Sequence, residues 1–195
     1  MTREHVFARW LVERVRGARL VPTVAAGHAG SSDPRIARVI ATVCAECNAG
    51  WMSSLEVSFR RTLFARPRVG PLPAPDRVIL SRWFTKTAVL LAQAQGRELV
   101  GAAHRSQLTT GMPDDVEVFI ARRRRPRQQL DYRLEPASGA GDGRTDVRSV
   151  AILVDDLVAH IAATGTLTGD QGTRLWPLRS HVLRWDTLPV TAAVT

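Results

Sequence analysis

Along the first third of the chain, apolar side chains recur at helical rather than alternating spacing. Val6, Phe7, Trp10, Leu11 and Val15 predict a helix over the N-terminal residues, stopped by Gly17. The stretch PTVAAGHAGSSDP (22–34) is built of small residues and predicts a loop, after which the β-branched run from Ile36 to Val43 predicts a strand. Trp51, Met52, Leu55, Phe59 and Leu63 then form one apolar stripe, with Ser53, Ser54, Arg60 and Arg61 on the other side, as in an amphipathic helix. Glu56 falls on its polar side and reads as a surface residue.

The run RPRVGPLPAP (66–75) holds four prolines, which interrupt helices and mark a boundary between two parts of the chain. Asp76 is placed to cap a helix carrying Leu80, Trp83, Phe84, Leu91 and Ala94 and ending at Gly96. Residues 116–122 and 128–134 read as two strands joined by an arginine-rich turn, and ASGAGDGRTD (137–146) as a polar loop. VRSVAILV (147–154) is the strongest strand pattern, and Leu157 to Ala163 suits either a further strand or a short helix. These elements predict an α+β fold, with one module over 1–66 and a second α+β region of undefined role over 76–195.

With 195 residues, 45% of them hydrophobic, the chain is able to bury a core. Met-Thr-Arg-Glu-His at the start has no apolar signal-peptide core, and no run approaches the roughly 18 apolar residues of a membrane-spanning helix, so the expectation is a cytoplasmic protein without a membrane partner. A net charge of +9 and a pI of about 11.3 favour polyanions, DNA above all. Lys86 is the only lysine, so the charge is almost wholly arginine, a bias that genomic base composition also produces. Residues 1–72 hold eleven basic and five acidic side chains, giving +6, and the remainder contributes +3.

The excess positive charge therefore surrounds the only two cysteines, Cys44 and Cys47, in Cys-x-x-Cys spacing. In a reducing compartment this spacing suits metal ligands or free thiols better than a disulfide; inert buried thiols and a redox pair are the other readings. The segments EHVFARWL (4–11) and VCAECNAGWMSSLE (43–56) together resemble a bacterial group of HNH-type proteins that pairs E-H-V/I-x-x-R/K-W-L with C-x-x-C-N-x-G-W-M-x-x-L-E. Arg82-Trp83-x-x-Lys86-Thr87-Ala88 and Leu175-Trp176-Pro177 also resemble this group.

That resemblance implies an N-terminal ββα-metal, treble-clef module in which a divalent ion assists phosphodiester hydrolysis. It implies His5 as general base, Glu4 and Asn48 as oxygen ligands of a catalytic Mg²⁺ or Mn²⁺, and Cys44 and Cys47 as ligands of a structural zinc. Modules of this type carry a second Cys-x-x-Cys before the Glu-His element, and here both that pair and the first strand of the ββα unit are expected to be missing, the true start lying upstream. Completion of the zinc site by His28, or loss of the zinc, are the alternatives. Asn48 is equally suited to capping the helix that follows it. Arg122, Arg123, Arg124 and Arg125 read either as a grip on DNA phosphates or as a solvated hairpin turn, while His104, His160 and His181 take structural readings. The leading expectation is a metal-dependent HNH-type endonuclease hydrolysing DNA phosphodiester bonds. Its rivals are a catalytically degenerate treble-clef module that binds nucleic acid or protein, and a thiol redox protein.

Overall fold

The computed structural model describes residues 1–16, 39–65, 67–124, 130–137, 147–167, 171–179 and 181–191. The predicted loop at 22–34, His28, Arg125 and residues 138–146 lie outside them. Strand β1 (Thr2–His5) pairs antiparallel with β2 (Ile40–Val43), setting Glu4 opposite Ala41 and His5 opposite Ile40, and helix α1 (Arg9–Arg16) lies between them in sequence. The Val6 amide extends this ribbon by donating to the Val39 carbonyl at 2.9 Å. Val6 and Phe7 thus enter the core from the end of a strand, which is why the helix starts later than its apolar spacing suggests. Thr2–His5 thus forms a strand where the apolar spacing predicts no element.

After β2 the chain makes a short helical turn, α2 (Ala45–Cys47), then a kinked segment at Asn48–Met52 that runs into α3 (Ser53–Phe64). Strand β3 (Pro71–Leu72) precedes α4 (Ala74–Ala94). Pro73, not Asp76, is the N-cap of α4: Pro75 fits the first turn, where no intrahelical N–H bond is lost, and Asp76 accepts from the Thr62 hydroxyl at 3.4 Å. The proline-rich segment carries paired structure, since β3 is antiparallel to β9 (Leu183–Arg184).

Following α5 (Ala102–Gln107) come β4 (Val116–Arg123), β5 (Leu130–Pro136), β6 (Val147–Val154), β7 (Leu157–Ala163), β8 (Thr173–Trp176) and, after β9, β10 (Val190–Thr191). These form an α+β structure with a six-stranded sheet ordered β10-β4-β7-β6-β5, to which β8 adds by pairing with β4. Leu157 to Ala163 is therefore a strand. β4 and β5 are not a hairpin: the β6–β7 pair is inserted between them. Its turn is only Asp155-Asp156, with Val154 opposite Leu157, and Asp155 takes a left-handed φ of 61°, which aspartate tolerates better than bulky residues. The two-residue turn joins two strongly apolar strands, and β4 and β5 flank that hairpin.

Val118, Ile120, Ile152, Val154, Ala159 and Ile161 alternate onto one face of the sheet, where α4 packs. One apolar cluster runs from Phe7 and Leu11 through Phe59, Trp83 and Leu91 into that face and on to Leu175 and Leu188. No helix among the described residues is long and apolar enough to cross a membrane.

Candidate functional site

The ribbon and the turn after β2 bring the two resembling segments together. Asn48 Nδ2 donates to Glu4 Oε2 at 2.8 Å, although 44 positions separate them. Glu4 and Asn48 are half-buried and His5 is exposed, and all three line a cleft of about 320 Å³ whose wall also includes Met52, Glu56 and Lys86. Asn48 reaches this place because the chain doubles back tightly: Cys44 is extended, the Cys47 amide donates to Cys44 Sγ at 2.9 Å, and the Asn48 amide donates to the Cys44 carbonyl at 3.0 Å. Within this segment Gly50 leaves the helical region, with φ −91° and ψ −108°, and so kinks the chain between Asn48 and α3.

Deeper in the cleft, Glu56 Oε1 accepts from Lys86 Nζ at 2.6 Å and from the Trp83 indole at 2.8 Å. Glu56 Oε2 is also buried and, among the described residues, has no hydrogen-bond partner, a state that costs about 1–3 kcal/mol. Trp83 is stacked on Phe59 with ring centroids 3.7 Å apart, and Phe84 meets both edge-on, so a buried aromatic block shared by α3 and α4 backs Glu56 through its bond to the Trp83 indole. Glu56 was expected at the surface. It lies on the flank of α3 that α4 covers, and helical spacing alone does not say how wide the covered stripe is. The sequence signal for this pair was Lys86 itself, a single lysine in a chain that otherwise uses arginine.

Glu4 and Asn48 carry oxygen donors of the kind a hard divalent cation takes, one Glu4 oxygen being engaged by Asn48 Nδ2. They offer carboxylate and amide oxygens, and Mg²⁺ characteristically uses one or two carboxylates and completes its shell with water and substrate phosphate. The cysteines fit zinc less well. Cys44 and Cys47 are joined as a disulfide, the tight turn having brought their Cα atoms within 5.2 Å, whereas the sequence favoured free thiols or metal ligands. Among the described residues no group of three or more His, Cys, Asp or Glu side chains is arranged to hold a metal ion, and two sulfurs bonded to one another do not make a tetrahedral site.

Arg122, Arg123 and Arg124 do not line the cleft. Arg122 donates twice to Asp156 Oδ2, at 2.8 and 3.1 Å, and Asp156, only 2% exposed, is also held by Arg68. The Arg123 amide donates to the Asp156 carbonyl at 2.7 Å and the Arg124 amide to Thr191 at 3.3 Å; the Arg124 side chain is exposed. Arg122 thus fastens the β6–β7 turn to the end of β4, a structural task beside any contact with phosphate. His104 Nε2 pairs with Asp115 at 2.9 Å. Burial pushes the His160 imidazole below its usual range, opposed in part by the charge of Glu135. His181 is exposed, and its carbonyl accepts from Arg77 at 3.4 Å. No protein-family model, curated protein or solved structure matches this chain. The HNH resemblance rests on its own residues.

Proposed function

We propose that this protein is a metal-dependent endonuclease of the HNH type, acting in the cytoplasm on DNA phosphodiester bonds. The observation that carries the reading is the convergence of Glu4, His5 and Asn48 on one cleft, with Asn48 and Glu4 hydrogen-bonded at 2.8 Å. His5, exposed on the cleft, takes a proton from water as the water oxygen bonds to phosphorus and the phosphorus–oxygen bond to the leaving nucleotide breaks; neutral imidazole is a competent base near neutral pH. Glu4 and Asn48 would hold Mg²⁺ or Mn²⁺, which when bound supplies positive charge to the scissile phosphate and the leaving oxygen. The Asn48–Glu4 hydrogen bond orients both groups before substrate arrives, and the net charge of +9 draws a polyanion toward them.

The bonded Cys44–Cys47 pair favours a second reading, in which the scaffold binds nucleic acid or protein without cleaving it, because sulfurs bonded to each other are not thiolate ligands for a structural zinc. Plasmid nicking separates the two. The endonuclease reading expects supercoiled DNA to be nicked with Mn²⁺ or Mg²⁺ and not with chelator, by wild type and not by His5→Ala. Binding without nicking under all these conditions would leave the scaffold reading.

A further inference from the structure

Lys86 is the only lysine in a chain whose other basic side chains are all arginine. It is 4% exposed, and the space beside it is the cleft that contains Glu4, His5 and Asn48. Glu56 receives one of its hydrogen bonds at 2.6 Å, and the Trp83 ring centroid lies 5.3 Å from the ammonium. Trp83 is itself fixed, by its indole bond to the same Glu56 oxygen and by its stack on Phe59. An ammonium has three N–H donors, so a bond to Glu56 leaves two for whatever enters the cleft.

We propose that Lys86 binds a non-bridging oxygen of a phosphodiester in this cleft, and that Glu56 is the positioning residue that fixes its ammonium. The proposal rests on the reading of the cleft as a phosphodiester-cleaving site and names the cation on the substrate side. A nearly enclosed position suits a compact point charge that meets one oxygen at a time, whereas a planar guanidinium needs room for a fork of five donors; that is a physical reason for lysine at the one position where this chain does not use arginine. Charge-assisted hydrogen bonds to phosphate are strong, and a cation held in place before the reaction stabilises the negative charge that gathers on the non-bridging oxygens.

A single lysine makes the test direct. Protein grown with ¹³C,¹⁵N-lysine has one lysine spin system, and the full chain is titrated, with Mg²⁺ present, with the dinucleoside phosphodiester TpT and separately with its uncharged methylphosphonate analogue. We expect a saturable shift of the Lys86 Cε signal with TpT and a clearly weaker one with the analogue. Lys86→Met combined with Glu56→Gln, which leaves no lone charge buried, is expected to lower plasmid nicking by about 10²-fold. A Lys86 signal that TpT does not move, or that the neutral analogue moves equally, overturns the proposal, as does nicking by the double variant at the wild-type rate. If TpT shifts Lys86 but wild type nicks no DNA, the phosphate site stands and the hydrolytic reading of the cleft falls.

Discussion

Glu4 and Asn48 are far apart in sequence and 2.8 Å apart in space, and the amino-acid sequence reveals their kinship only through the motifs in which they stand. Periodicity assigns each to its own element and says nothing about contact between elements. Glu56 shows the opposite limit: its helix was legible, yet the side of the helix it occupies depends on where α4 packs, and a carboxylate read as solvated proves to be shared by Lys86 and Trp83. The cysteine spacing favours metal ligands or free thiols, whereas the two sulfurs are bonded to each other: spacing does not report how closely the turn brings them together. His160 offers a prediction at the same scale. Its folded pKa lies below the usual value of 6.5, so in the window beneath 6.5 the unfolded chain binds more protons than the folded one. Stability from this group is complete above 6.5 and is lost as pH falls through the folded value. Urea unfolding followed downward from about pH 7 should show a steeper loss for wild type than for His160→Gln; identical pH dependence would remove His160 as the cause.

At the scale of elements, the long α4, the strand at Val147–Val154 and the amphipathic α3 follow from their apolar patterns, because packing demands little beyond the pattern itself. The pairing of strands did not follow. Adjacency in sequence suggested β4 with β5, whereas the two-residue Asp155-Asp156 turn makes β6 and β7 the hairpin. β1 was hidden because Val6 and Phe7 satisfy a helical spacing as readily as the end of a strand. The contact that most directly holds α3 on α4 is Phe59 against Trp83. Phe59 is fully buried and also touches Trp10, Phe64 and Phe84. Phe59→Ala should destabilise the fold by about 3–5 kcal/mol, seen as a lowered denaturation midpoint. A loss below about 1 kcal/mol would mean that the aromatic block is not the seam between these helices.

For the molecule as a whole, charge and core give different kinds of information. The apolar cluster joins the N-terminal ribbon to the sheet through α4, so the cleft is built on a helix that is also the back of the core. The positive charge is long-ranged and unspecific; it predicts that affinity for nonspecific duplex DNA falls steeply as salt rises, with a log–log slope that counts phosphate contacts. Arg124→Ser should reduce that slope by about one if this exposed side chain touches a phosphate, whereas Arg122→Ser should mainly lower stability, since Arg122 is committed to Asp156. Salt-independent binding would contradict an electrostatic contact with the duplex. The central claim is that Glu4, His5 and Asn48 form one hydrolytic site, and single-turnover cleavage of a labelled duplex as a function of Mn²⁺ concentration tests it most directly. The account predicts that His5→Ala lowers the rate by about 10²-fold or more at every Mn²⁺ concentration, while Asn48→Ala shifts the Mn²⁺ dependence to higher concentration. Cleavage by wild type that survives both substitutions unchanged, or no cleavage by wild type at any Mn²⁺ concentration, would contradict it.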